Sequence, residues 1–281
     1  MTLVAVLAAL AVGVAAGLLS GLIGIGGGVL IVPFLYFFYA HPGWFGDPVS
    51  PDVATVVAHA TSLFAIVPTS VRGALTYHRS RLVVWRAVWP IGLASMAAAA
   101  AAARLAPQLP AEALRIGFGA LLVFSGARLL RRRDAEEEVR HGTAHLRLSL
   151  PVTLATGLAV GTFSALLGVG GGVVAIPLLI GVVGLDVRQV AGTSMAIIVI
   201  TSLGGVLSYI LGGVGVPGRP PLSLGYVDVA LGTVVFLGAL LSVRWGARLN
   251  QRLKPRGLAL LFGAFFLVMG VRMIIDNLGN P

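Results

Sequence analysis

Apolar residues fill this chain in eight blocks, near 3–40, 53–77, 82–104, 111–130, 150–184, 187–212, 225–247 and 256–275, with short polar stretches between them. A helix of about 20 apolar residues reaches across a bilayer's hydrocarbon core, so six of the blocks suit single membrane helices. The other two, 3–40 and 150–184, are too long for one span. Each is interrupted by a glycine cluster, Gly24 to Gly28 in the first and Gly168 to Gly172 in the second. Such clusters weaken a helix and permit left-handed backbone. Both blocks are therefore predicted to break in two. The second piece of the first block, roughly Val29 to Ala40, is short, about 18 Å by helix rise. It reads as a half-helix of a re-entrant hairpin or as a tilted partial span.

The chain repeats itself. Gly17 to Pro33 reads GLLSGLIGIGGGVLIVP and Gly161 to Pro177 reads GTFSALLGVGGGVVAIP, with 9 of 17 positions identical at a shift of 144. Phe118-Gly119-Ala120, Gly126 and Arg128 match Phe262-Gly263-Ala264, Gly270 and Arg272 at the same shift. Between these stretches the shift is 132: Thr61-Ser62 matches Thr193-Ser194, and Ser70, Gly73, Leu75 and Tyr77 match Ser202, Gly205, Leu207 and Tyr209. A longer loop near His41 to Asp52 in one half is offset by one near Gly212 to Ser223 in the other. The divisions are 1–130 for the first membrane repeat, 131–149 for a polar linker and 150–281 for the second repeat.

Composition removes the soluble alternative. Hydrophobic residues make up 57% and charged residues 11%, with a mean hydropathy of +0.97, against roughly 25% charged in soluble domains. The net charge of +10 suggests nucleic acid at first sight, but the arginines sit in short clusters between apolar runs, so nucleic acid is excluded as a partner. Cysteine is absent, which removes disulfides, thiol chemistry and Cys-based metal sites. The N-terminus lacks a cationic leader region and reads as a retained first membrane segment.

Positive charge also arbitrates topology, because cytoplasmic loops collect Arg and Lys. Three clusters matter: Arg79, Arg81 and Arg86; Arg131, Arg132, Arg133, Arg140 and Arg147; and Arg244, Arg248, Arg252, Lys254 and Arg256. Only if both first blocks are broken do all three fall on one side. The expectation is an all-α integral membrane protein of two inverted-topology repeats. Each has a glycine-broken first helix block, giving 8–10 membrane segments in all, both termini outside and the linker in the cytoplasm.

Inverted repeats with broken helices place a substrate site near the midplane, between the repeats. The candidates are Gly24, Gly26, Gly27 and Gly28 with Gly168, Gly170, Gly171 and Gly172. Glycines let backbone N–H groups converge on a ligand, and a helix starting after each cluster adds its positive dipole end. The competing reading is tight helix packing. Thr61, Ser62, Thr193 and Ser194 offer hydroxyl donors, or bond to carbonyls of their own helix. Arg72, late in its span, attracts an anion or snorkels to the cytoplasmic face. His59 is a possible proton carrier or a structural histidine. Asp228, at a span end, is expected to face water, and Arg128 and Arg272 to be interfacial anchors.

The two GxGGGxxxxP stretches, the segments HATS (His59 to Ser62) and AGTSM (Ala191 to Met195), and the FGA…GxR ending of each half together resemble the sulfite exporter TauE/SafE family over essentially the whole chain. That resemblance implies a multi-pass carrier in a bacterial inner membrane, moving sulfite, organosulfonates or related small anions. The expected partners are a small anionic substrate and the lipid bilayer, with a homo-oligomer left open and no cofactor or metal. An anion channel is the first alternative. An intramembrane enzyme or assembly factor is the second, disfavoured because there is no HExxH, no Cys and no carboxylate pair within a span.

Overall fold

The computed structural model describes residues 2–41, 49–131, 146–252 and 255–278. Among the described residues ten α-helices dominate: α1 (Leu3–Ile23), α2 (Gly28–Ala40), α3 (Pro51–Arg79), α4 (Trp85–Leu105), α5 (Ala111–Arg131), α6 (Leu150–Leu167), α7 (Gly172–Gly181), α8 (Val187–Gly212), α9 (Val229–Asn250) and α10 (Pro255–Leu278). A two-residue ladder, β1 (Ser223–Leu224) with β2 (Val227–Asp228), precedes α9. The chain is thus an all-α membrane protein. Among the described residues, six helices (α1, α3, α4, α6, α8 and α9) are long and apolar enough to cross a bilayer. α5 and α10, of 21 and 24 residues, pack against each other. α2 and α7, of 13 and 10 residues, are about 20 and 15 Å long by helix rise, too short to span.

Small residues set the helix pairing. Lipid tails are as apolar as leucine, so membrane helices associate through close packing, which small side chains permit. On α1, Gly13, Gly17 and Gly21 lie against the backbone of Val235, Ala239 and Val243 on α9, in the same order, so the two helices run parallel. Gly157 and Gly161 of α6 lie in the same way against Ile91 and Ser95 of α4. The pairs at the centre and at the flank run antiparallel. Gly73 of α3 faces Met195 of α8 while Gly205 faces Leu63, and Gly119 of α5 faces Gly270 of α10 while Gly126 faces Gly263.

The arginine-rich ends come together. The Ser80 hydroxyl donates to Gln251 Oε1 at 3.2 Å, joining the turn after α3 to the end of α9. The Arg147 N–H donates to the Val183 carbonyl, tying the chain entering α6 to the α7–α8 turn. That turn supplies Val183 and Leu185 to a core that also contains Tyr77 and packs Leu82. Residues 132–145 of the predicted linker, residues 42–48 of the first-half loop, and Lys254 lie outside the described residues. So does the side chain of Arg128. Arg272 is exposed on α10.

Candidate functional site

Each half breaks its first block where the sequence predicts. α1 ends at Ile23 and Gly24 takes a left-handed conformation, its N–H returning to the Ser20 carbonyl at 2.7 Å. α6 ends at Leu167, with Gly168 left-handed. The next helices begin after Gly27 and Gly171, whose φ values of 85° and 83° favour glycine because a Cβ clashes there. Gly27 lies beside Ala16 and Gly171 beside Val160, two turns back along the preceding helices. The chain has therefore reversed: α1–α2 and α6–α7 are hairpins.

The two breaks meet. A Cβ on Gly28, the first residue of α2, would sit 2.6 Å from Val169 Cα and 2.7 Å from the Gly168 carbonyl oxygen. A Cβ on Gly172, the first residue of α7, would sit 2.5–2.7 Å from the Ile25 backbone. Gly26 and Gly170 are both flanked by Ile66 and Ile198, which lie near the middles of α3 and α8. The positive ends of two half-helices thus face each other at mid-depth. In α2 the N–H groups of Leu30 and Ile31 return to the Gly27 carbonyl. The N–H groups ahead of them lack an intrahelical acceptor, as at any helix start. In α7, Val174 and Ala175 return to Gly171 in the same way.

The helices that frame the breaks carry four buried hydroxyls without partners. Ser20 on α1, Ser164 on α6, Ser70 on α3 and Ser202 on α8 are each 0% exposed, and each Oγ lacks a hydrogen bond. Ser164 Cβ lies 3.2 Å from a Cβ placed on Gly171. An unsatisfied buried hydroxyl costs about 1–3 kcal/mol, and here four occur as two repeat-matched pairs. Such a set has the chemistry to hold an anion: hydroxyl and backbone donors with no carboxylate among them.

The Thr-Ser pairs divide their work. The Ser62 hydroxyl donates to the Gly168 carbonyl at 2.7 Å, and that of Ser194 to the Gly24 carbonyl at 2.9 Å, so each serine holds the other half's break. The Thr61 oxygen accepts the Asp228 N–H at 2.9 Å, and that of Thr193 accepts the Val84 N–H at 3.0 Å, which fixes the starts of α9 and α4. His59, fully buried, backs onto Gly168. Its Nε2 is hydrogen-bonded with the Tyr36 hydroxyl, and its Nδ1 has no partner. Arg72 lies on an exposed face of α3, and the structure does not bring it to the breaks.

Asp228 departs from expectation. Instead of facing water it is 6% exposed. Its Oδ1 caps α9 by accepting the Leu231 N–H at 3.0 Å, and its Oδ2 accepts the Tyr39 hydroxyl at 3.2 Å. Burial raises its carboxyl above the ordinary value, partly offset by these donors. The sequence also left Ser20, Ser164, Ser70 and Ser202 off the list of candidate site residues, although all four are identical between the halves. That identity was the available signal. Tyr36 and Arg115 have no such counterpart.

A profile of the family described as sulfite exporter TauE/SafE matches residues 9–273. A probable membrane transporter protein of Methanocaldococcus jannaschii is 26% identical over 265 residues, covering 94% of this chain and 93% of its own length. One from Haemophilus influenzae is 26% identical over 270 residues, covering 96% and 98%. The probable membrane transporter protein YunE of Bacillus subtilis is 22% identical over 279 residues, covering 95% and 96%. No solved structure matches the chain. With a helical membrane fold and a family profile matching residues 9–273, the chain is a membrane transporter rather than an enzyme, and it belongs to the sulfite exporter TauE/SafE family.

Proposed function

We propose that this transporter exports a small anion, such as sulfite or an organosulfonate, across a bacterial inner membrane through a site between two inverted repeats. The observation that carries the reading is the meeting of two half-helix N-termini at mid-depth, framed by helices that carry unpartnered serine hydroxyls. Helix N-termini favour negative charge, and in a dry, low-dielectric centre that preference is strengthened. The substrate ligands are N–H groups of Gly26, Gly27 and Gly28 and of Gly168, Gly170, Gly171 and Gly172, while Gly24, whose N–H is held by the Ser20 carbonyl, closes α1 and sets the break. Ser62 and Ser194 hold those segments in place, and Thr61 and Thr193 anchor the neighbouring helices.

Inversion is supported by direction. α5 and α10 are repeat counterparts and run antiparallel, as do α3 and α8. A symmetry axis along the membrane normal keeps counterparts parallel, whereas one in the membrane plane reverses them. The contacts that gather the described arginine-rich ends on one side support a cytoplasmic assignment for that side. The breaks are in van der Waals contact, so admitting an anion requires them to part. Rocking of one repeat against the other does this on alternate sides.

The test is flux through purified protein in liposomes, with sulfite, sulfoacetate and sulfate as probes. The expected result is saturable flux of at least one probe, lost in Gly171→Val, where a β-branched side chain meets φ of 83°, while that variant still inserts. Normal flux in the variant would remove the glycine site. Ohmic, non-saturating anion current would replace the carrier with a channel.

A further inference from the structure

We propose that His59 is a protonation site linked to anion binding, so that one proton travels with the anion and in the same direction. The proposal rests on the anion-site reading above and adds the coupling ion to it.

Three polar groups on one side of the centre have no counterparts on the other. His59, Tyr36 and Arg115 correspond to Ala191, Ile180 and Ala259 in the second repeat. Two glycine breaks alike in backbone therefore differ in what stands behind them. The Gly24 break rests on Ala191 and the Gly168 break on His59. The imidazole sits one helical turn from Ser62, whose hydroxyl holds the same Gly168 carbonyl.

Among the described residues, the titratable groups on the elements around this histidine are few. From α2, the Tyr36 hydroxyl is hydrogen-bonded with Nε2. From α5, the Arg115 guanidinium carbon lies 5.3 Å from the Tyr36 ring centroid, and its Nε donates to the Thr55 hydroxyl at 3.0 Å. From α8, the Tyr209 hydroxyl is occupied by the Ala165 carbonyl at 2.8 Å. At the start of α9, Asp228 is engaged by Tyr39 and by the Leu231 N–H. The described residues of α1 and α6 contribute no charged side chain to this neighbourhood. Among the described residues no carboxylate is hydrogen-bonded to His59, so a doubly protonated ring has no counter-charge there. An anion held at the Gly168 break, against which His59 Cα and Cβ pack, supplies one, and Nδ1 has no hydrogen-bond partner of its own. Proton and anion therefore favour each other's binding, and reciprocity requires each to raise the other's affinity equally. The charge balance follows. A dianion moving with one proton carries one net negative charge, which an inside-negative potential expels.

The experiment uses sulfoacetate and sulfate, which stay fully ionised between about pH 6 and pH 8, with purified wild type and His59→Gln. Wild-type affinity is expected to rise as pH falls, by up to about tenfold per unit for one linked proton. Calorimetry in buffers of different ionisation enthalpy is expected to show one proton taken up per anion. The Gln variant is expected to give a flat profile and no proton uptake, whatever its absolute affinity. If that variant fails to insert, imidazole nitrogen NMR of the wild type decides: anion addition converts one buried ring to the doubly protonated form. Anion binding with pH-independent affinity and no proton uptake, or a pH slope retained in the Gln variant, overturns the proposal and leaves the anion site standing. Absence of binding by either probe together with absence of flux for sulfite overturns both.

Discussion

Gly172→Ala adds a single methyl group at the point where the two breaks touch. The new Cβ lies 2.5 Å from Ile25 Cα and 2.7 Å from the Ile25 carbonyl carbon and oxygen. These are backbone atoms, so no rotamer change relieves the contact. Restoring ordinary van der Waals separation means parting the breaks by roughly 1 Å, and forced overpacking of this kind costs about 1–3 kcal/mol. The repeat-related Gly28→Ala meets Val169 Cα and the Gly168 carbonyl at 2.6 and 2.7 Å and is expected to cost a similar amount. Gly212→Ala is the control. It lies at the end of α8 with nothing within 4 Å of its Cβ, so it is expected to be neutral or to stabilise by under about 1 kcal/mol. The assay is thermal unfolding in detergent beside saturable flux in liposomes. Both central variants are expected to lower Tm by several degrees and to cut flux at least fivefold. A Gly172→Ala protein with wild-type Tm and flux would refute the tight opposition of the breaks.

Further expectations follow from the same geometry. Ser164→Ala removes an unpartnered buried hydroxyl, so thermal stability is expected to hold or rise while anion affinity falls about tenfold, the scale of a hydrogen bond to a charged group. Equal affinity with lower Tm would make the serine structural. Ser194→Ala leaves the buried Gly24 carbonyl without its 2.9 Å donor, and a stability loss of about 1–3 kcal/mol is expected by Tm. For Asp228 the sign is set by burial. Its carboxyl is raised above the ordinary value, so native stability falls as pH rises from the ordinary carboxylate range through the raised value. Asp228→Asn keeps an N-capping side chain and removes the buried charge. It is therefore expected to raise Tm relative to wild type more at pH 8 than at about pH 4, in the ordinary carboxylate range, and a Tm gain independent of pH would contradict this.

Much of the fold was legible because its signals are local. Membrane length, glycine breaks and helix-ending turns are each written within a few residues, and the observed helices follow the predicted blocks with Gly24 and Gly168 closing α1 and α6. Self-comparison added the pairing of the two breaks as elements, but not their contact, which depends on α3 and α8 placing Ile66 beside Ile198. The serines escaped because a hydroxyl in a membrane helix usually satisfies itself on the carbonyl one turn back, as Thr69 does on Ala65. Only the fold distinguishes Ser70, one residue later and unpartnered. Asp228 misled for a similar reason. Its partners Thr61 and Tyr39 are 167 and 189 residues away in sequence, so its position at a span end suggested solvent where the structure encloses it. Arg72 drew attention as a costly membrane charge, but its exposed face on α3 follows from which side α8 and α9 cover.

The most direct test of the central claim is to locate the anion. Selenite, a heavier analogue of sulfite, marks its own position by anomalous scattering in crystals grown with it. The account predicts a selenium peak between the Gly24–Gly28 and Gly168–Gly172 segments, within hydrogen-bonding reach of their N–H groups and of Ser20 or Ser164. A peak at saturating selenite that lies elsewhere, beside Arg72 or on the exposed face of α10, would contradict it.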